Sequence, residues 1–492
     1  MRRLKSTSWW QVIAVVVVAS MVLTACATPT PEVIIQTVEV TKEVPVEVEV
    51  VKEVQVEVTR EVIKEVTVEV EVPMDPGQVG NAAPLNAEVS GDVEFWHFWA
   101  SPVRRAAVRR VVVLCEEKLP NINVTEVAKP WGDIWTANLA AVAAGSGMPD
   151  VIVEDRPQLP QRARDQVVTN LQPFVERDGL DPEQFWSFTW NEALYEGDVY
   201  GIPFETDVRV LYWNKQAFAE VGLDPETPPQ TWDELLEYAD KLDVKNDDGS
   251  YKRIGFFPLW NVGPDFWELT TGYTRVQDGR PVVDAPEVIE TLEWVKSWVD
   301  RYGGWQEVQN FKAQFGAPPN DVFMAGGTAM LVDVGGYNST LNFYRPYHYN
   351  ADGSRMRMDW GISFLPYKKV KSGWSGGFAL SIPYGAKHTD AAWEFIKCMS
   401  GPEAQASWAR DTYAIPTNRG TAYDPVLLAD PYWAAIMESM EWSTGSTYIP
   451  AYPNWGEQLG PRLEKVWTGE LSPADAMKEA QAAIDETIQK NQ

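Results

Sequence analysis

The chain has 492 residues with a formal net charge of −28, enough for a two-lobed globular body and too acidic a surface for nucleic acid or a polyanion as partner. Its three cysteines and three histidines include no HExxH or CxxC spacing, so neither a metal nor a cofactor is expected. Cys115 and Cys398 are far apart in sequence; they could pair if the fold brings them together, but two separate buried thiols are the favoured expectation.

The chain opens with Arg2, Arg3 and Lys5, followed by an apolar run from Trp9 to Leu23. That is a positive n-region and an h-region of signal-peptide length, shorter than a membrane span. The run ends in Leu23-Thr24-Ala25-Cys26, which resembles the lipobox of bacterial lipoproteins. Residues 1–25 are therefore expected to be removed and Cys26 to be lipidated.

Residues 26–90 form a stalk and linker. Fourteen valines fall on even positions from Val38 to Val72, and eleven glutamates, largely on odd positions, face four Lys or Arg between residues 32 and 72. This alternation is the pattern of an extended chain, and the net charge of −7 from those counts favours a self-repelling spacer, the rival being a β-stalk that pairs with copies of itself. Pro73, Pro76, Gly77 and Pro84 predict a flexible junction before a body beginning near Asp92.

In the body, short apolar runs alternate with capped amphipathic segments, which predicts an α/β fold. Val93 to Trp96 reads as a strand, and Ser101-Pro102 as N-cap and first residue of a helix to about Cys115. Asn123 to Val127 is a second strand, Ile134 to Ala144 a helix stopped by Gly145, and Val151 to Val153 a third strand. Thr231-Trp232-Asp233-Glu234 is a capping box that opens a helix to Lys241. Further helices carry Val288, Leu292, Val295 and Val299, then Trp393 and Ile396, and finally Ala476, Ala480, Ala483 and Ile484 after Ser472-Pro473.

Gly197-Asp-Val-Tyr-Gly-Ile-Pro-Phe-Glu-Thr-Asp207 continues as Val-Arg-Val-Leu-Tyr-Trp-Asn-Lys215, with Phe218 to Leu223 and Pro229 to Leu235 after it. Together with Ala140 to Val151, Phe323 to Met330, Gly376 to Pro383 and Ala391 to Pro416, it resembles the bacterial extracellular solute-binding proteins of family 1, the maltose-binding-protein-like type. The resemblance implies a two-lobe, hinge-bending periplasmic-binding-protein fold serving an ABC importer. It places the N-terminal lobe in 91–206 plus 378–423, the C-terminal lobe in 208–376 plus 425–492, and the ligand between them.

Twenty-three Trp and eighteen Tyr suit a carbohydrate, whose C–H faces stack on aromatic rings while carboxylates and amides bind its hydroxyls. The candidate ligand-binding residues are Trp96, Trp99, Glu154, Asp207, Trp260, Tyr337, Trp374 and Trp455. The competing role for each aromatic residue is lobe packing, and for Asp207 a hinge carboxylate that caps backbone amides. Gly373-Trp374-Ser375-Gly376-Gly377 matches G-x-S-x-G, but strand-like residues follow the serine where a nucleophile elbow needs a helix. No catalytic residue is assigned.

The expected function is capture of a sugar or oligosaccharide, with another small polar ligand such as a glycerol phosphodiester left open, for ABC permease subunits, outside the cytoplasmic membrane, with membrane contact through the lipid anchor alone. A secreted glycoside-processing lipoprotein and a ligand-sensing receptor for a signalling partner are the alternatives. Cys26→Ser is expected to abolish acylation and to release or misprocess the protein. Lipid labelling with membrane fractionation checks this, and a variant that stays membrane-bound and lipidated refutes the lipobox.

Overall fold

The computed structural model describes residues 83–491, apart from 351, 441, 447, 448, 450, 451 and 453, all within one compact unit. The signal, the lipobox and the Val/Glu segment lie outside the described residues.

The elements used below are β1 (Gly91–His97), α1 (Pro102–Lys118), β2 (Ile122–Ala128), α2 (Asp133–Ala144), β3 (Val151–Asp155), β4 (Ile202–Thr206) and β5 (Arg209–Asn214). They continue as α3 (Trp232–Leu242), α4 (Pro286–Arg301), β6 (Met330–Val334), α5 (Tyr337–Tyr344), β7 (Trp360–Ser363) and β8 (Gly377–Ser381). Last come α6 (Thr389–Met399), α7 (Pro402–Thr412), β9 (Ile415–Pro416) and α8 (Pro473–Asn491).

Local signals fix several of these ends. Ser101 caps α1 by accepting from the Arg104 amide, with Pro102 as the first helical residue. Gly145 ends α2 in the left-handed conformation. The Thr231 capping box is complete, its hydroxyl accepting from the Glu234 amide at 3.2 Å while Glu234 accepts from the Thr231 amide. Such a cap contributes about 1 kcal/mol.

Two sheets organise two cores. The first has strand order β9-β4-β8-β3-β1-β2, with β1 parallel to β2 and β3, and β8 antiparallel to both β3 and β4. Val93, Phe95, Val151, Val153, Phe204 and Leu380 pack with α1, α6 and α7 in one core. The second sheet is antiparallel, in order β6-β5-β7. Its residues Val210, Leu211, Met330 and Ile362 join α3, α4 and α8 in the other core. The chain forms an N-terminal lobe around the first and a C-terminal lobe around the second.

The cysteines correct the sequence expectation of two free thiols. Cys115 on α1 and Cys398 on α6 form a disulfide, their Cα atoms 5.8 Å apart across 283 residues of sequence. Helix packing on the first sheet brings them together, a juxtaposition that sequence spacing does not encode. Replacing both with serine should lower the stability of the N-terminal lobe by roughly 2–5 kcal/mol, read as a fall in melting temperature that dithiothreitol reproduces in the parent. An unchanged melting temperature would show that the bond contributes nothing to the fold.

Candidate functional site

The chain leaves the first sheet at the end of β4 and re-enters it at the start of β8. These strands are neighbours, with Gly377 opposite Thr206 and Phe378 opposite Glu205, so these two crossovers between the lobes lie side by side. Asp207 sits on the first crossover, 22% exposed at its side chain. Its carboxylate pairs with the Arg209 guanidinium and accepts from the Gly376 amide at 3.3 Å. Trp374 precedes the second crossover, half-buried, and donates from Nε1 to the Ser446 hydroxyl at 3.1 Å. Arg209 lies against two rings, 5.2 Å from the centre of Phe266 and 5.6 Å from that of Trp374, and Phe266 meets Trp374 edge-on at 5.4 Å. Asp207 and Trp374 are thus brought together, with Arg209 and Phe266 as partners that sequence reading did not single out.

Just beyond the second crossover, Phe378 joins an aromatic patch on the N-terminal lobe. Phe98 meets Phe378 at 4.7 Å and Trp131 at 4.8 Å, and Trp131 meets Trp135 at 4.8 Å, all edge-on. Trp131 is 61% exposed, an unusual position for so large an apolar ring. Asp155, opposite Phe378 in the β3–β8 ladder, stands at the end of β3 beside this patch. Burial, helped by the like charges of Glu192 and Asp207 and opposed by Arg156, pushes its carboxyl up to about 6. The signal for Trp131 lay in the Lys129-Pro130-Trp131-Gly132 turn after β2, the signal for Asp155 in a carboxylate at a strand end.

The remaining candidates lie elsewhere. Trp96, next to last in β1, packs with Ile134 and Ile152, with Lys129 Nζ 3.8 Å from its ring centre. Trp99 is enclosed in the first core, 4.5 Å from Trp408 and 5.4 Å from Phe204. Trp260 is buried against Phe311, ring centres 6.1 Å apart and nearly parallel, and Lys312 Nζ is 5.2 Å from its centre. Tyr337 begins α5, buried, and its hydroxyl donates to the Asp321 carboxylate at 2.9 Å. Trp455 opens a short 3-10 helix and packs, half-buried, on the second core. Ser375, the serine of the G-x-S-x-G match, is buried at the crossover and donates to the Asp207 carbonyl at 2.6 Å. The chain after it enters β8, a strand.

Glu154 is fully enclosed on β3. Its carboxyl oxygens make no hydrogen bond among the described residues, and Arg162 Nε stands 3.8 Å away. Burial raises its pKa to about 8, with Arg162 pulling the other way.

A profile of the family described as bacterial extracellular solute-binding protein matches residues 111–435, and the chain belongs to that family. Among curated proteins, the sn-glycerol-3-phosphate-binding periplasmic protein UgpB of Salmonella paratyphi A is 26% identical over 305 residues, 58% of this chain and 66% of that protein. UgpB of Escherichia coli K12 is also 26% identical, over 316 residues. The chain spans about two thirds, 66%, of the length of these relatives. Among solved structures, mannotriose-bound CpMnBP1 is 27% identical with a TM-score of 0.69, covering 80% of this chain and 99% of that one. UgpB from Mycobacterium tuberculosis, in complex with glycerophosphocholine, shares the fold at 19% identity and a TM-score of 0.66, covering 82% and 99%. The two-lobe binding-protein fold implied by the sequence is the fold of these neighbours. Among the described residues no helix is long and apolar enough to cross a membrane.

Glu154 yields a pH prediction. In the folded chain its carboxyl keeps its proton to about 8, against an ordinary value of 4.5. The native state therefore binds more protons than the unfolded state across that window, and stability falls as pH rises through it, by on the order of 1 kcal/mol per unit. Glu154→Gln should flatten this slope in chemical denaturation between pH 5 and 8. Identical slopes in parent and variant would assign the effect to another group.

Proposed function

We propose that this protein is a lipid-anchored extracytoplasmic receptor that captures a sugar or oligosaccharide between its lobes and delivers it to the permease subunits of an ABC importer. The observation that carries the ligand class is the pairing of aromatic surface with carboxylates on both sides of the crossovers. Trp131, Phe98 and Phe378 stand on one side with Asp155, and Trp374 and Phe266 on the other with Asp207. Rings of this kind cover the C–H face of a pyranose, and carboxylates accept from its hydroxyls in charge-assisted bonds. The names of the mannotriose- and mannobiose-bound neighbours, 27% and 26% identical, point the same way.

The sn-glycerol-3-phosphate-binding relatives favour a second reading, a phosphate-bearing ligand. Charge at the crossovers weighs against it. Arg209 is matched by Asp207 and Arg156 by Glu192, while Asp155 lies within electrostatic reach of both carboxylates. A phosphate dianion entering there meets surplus negative charge. A receptor needs no covalent step, and the relatives are binding proteins by name; recovery of unchanged oligosaccharide after incubation separates capture from glycoside processing. The disulfide suits an oxidising compartment outside the cytoplasm.

Calorimetric titration with mannobiose, mannotriose, sn-glycerol-3-phosphate and glycerophosphocholine tests the ligand class, with saccharide binding and no phosphate binding expected. Trp131→Ala and Trp374→Ala should each weaken saccharide binding by roughly 1–3 kcal/mol through lost ring contact. Asp207→Ala should cost about 1.5–3 kcal/mol for a charged hydrogen bond. Parent-like affinity in all three variants, with unchanged melting temperatures, would place the ligand elsewhere.

A further inference from the structure

Arg156 is the most deeply buried cation near the crossovers, with no exposed surface. It lies in the N-terminal lobe just after β3, and its donors are spent on backbone and side chains of both crossovers. Nη1 donates to the Glu205 carbonyl at 2.8 Å, and Nη2 to the Gly376 carbonyl at 2.6 Å and the Thr206 hydroxyl at 3.3 Å. The guanidinium reaches these groups because residue 377 is glycine. Its φ is +125°, and a Cβ there would stand 2.3 Å from the Glu205 carbonyl and 2.7 Å from Arg156 Nη1. Thr206 and Ser375 are joined directly, hydroxyl to hydroxyl at 2.6 Å.

The fourth partner of Arg156 is Glu192, which accepts from Nε at 2.9 Å. The other oxygen of the same carboxylate accepts from the Ser446 amide at 2.6 Å. Ser446 belongs to a segment that pairs with the second crossover, where Trp374 lies opposite Thr444 and the Ser375 amide donates to the Thr444 carbonyl at 2.8 Å. Gly445 leaves room for the carboxylate, since a Cβ there would lie 2.7 Å from Glu192 Oε1. The Ser446 hydroxyl holds the Trp374 indole. One ion pair therefore touches three passages of the chain, residues 205–206, 376 and 446, and connects by hydrogen bonds to the ring assigned to ligand contact.

We propose that Arg156 and Glu192 form a clasp that makes the three passages move as one, so that displacement of Trp374 and Ser446 is transmitted to both crossovers and sets how the lobes close. The proposal rests on the reading of the crossover region as a ligand cleft, but the clasp is testable without ligand. Arg156 and Glu192 are positioning residues: neither needs to touch the solute. The chemistry favours an ion pair because a neutral hydrogen bond in the same place is roughly half as strong. A two-oxygen acceptor can also face two lobes at once.

Hydrogen–deuterium exchange of the ligand-free chain, read by mass spectrometry, tests it. In Glu192→Ala, peptides covering 373–376 and 443–446 should exchange at least tenfold faster together, while peptides covering β1 and β6 keep their protection. Removing one partner of a buried pair can unfold a protein, so Glu192→Gln is the second variant. It keeps an acceptor for the Ser446 amide but removes the charge facing Arg156, and the 373–376 peptide should still loosen. Equal loss of protection across β1 and β6 would reduce the pair to a contributor to global stability. Faster exchange confined to 443–446 in Glu192→Ala would show that the passages are independent. Either result overturns the clasp.

Discussion

Adjacency of β4 and β8 in one hydrogen-bonded ladder is the constraint on which the arrangement depends. Both strands are buried over their whole length; the chain leaves the first sheet at the end of β4 and returns to it at the start of β8. Because Gly377 faces Thr206, two passages that are 170 residues apart in sequence emerge within one strand spacing of each other. Pro203 lies inside β4, a position where a central strand rarely accepts a residue without an amide hydrogen. The register slips between Phe378 and Ala379 beside it, so the ladder absorbs the missing donor as an irregularity one residue from the crossover.

Once those passages lie together, their polar groups need partners away from bulk water. The requirement is met almost internally: Ser375 to Asp207, Thr206 to Gly376, Arg156 to both carbonyls. Buried polar groups satisfied in this way hold one geometry, since each alternative leaves a donor or acceptor unpaired. Burial and neighbouring negative charge, that of Asp207 included, raise the proton affinity of Asp155 and Glu192, and the Arg156 guanidinium offsets this in part. An uncharged, hydroxyl-rich solute fits that field because it can donate to the carboxylates without adding charge.

The fold was legible wherever the signal was local. Ser101-Pro102, Gly145 and the Thr231 capping box mark helix ends by chemistry confined to four residues, and the structure keeps each of them. The disulfide was not legible, because its two cysteines meet only after α1 and α6 dock on the same sheet face. The candidate residues divide in the same way. The placement of Asp207 and Trp374 beside the crossovers follows from a motif that spans both passages, and Gly376 lies against both side chains. Abundance of tryptophan, by contrast, could not separate Trp99, sealed against Trp408 and Phe204, from Trp131, 61% exposed in the turn after β2. Arg156 was invisible as a functional residue, since a lone arginine after a strand carries no pattern until its partners are assembled from residues 192, 205, 206 and 376.

Placement of the aromatic surface has an energetic consequence for a two-state hinge. A solute can shift the balance of open and closed forms only by the difference in its affinity for them. Contact with one lobe alone is the same in both forms and shifts nothing, however tight it is. Trp374 and Phe378 are four residues apart yet stand on opposite sides of the second crossover, one bonded through Ser446 to the C-terminal side and the other packed on Phe98 and Trp131. A ring bound between them gains its second face only on closure. Moving the lobes from 1:99 to 99:1 requires about 5.5 kcal/mol of such differential binding, more than one stacked ring supplies. On the proposed reading, carboxylates on both sides therefore contribute to the switch alongside the aromatic rings, and Asp155 and Asp207 are the carboxylates it assigns to that contribution.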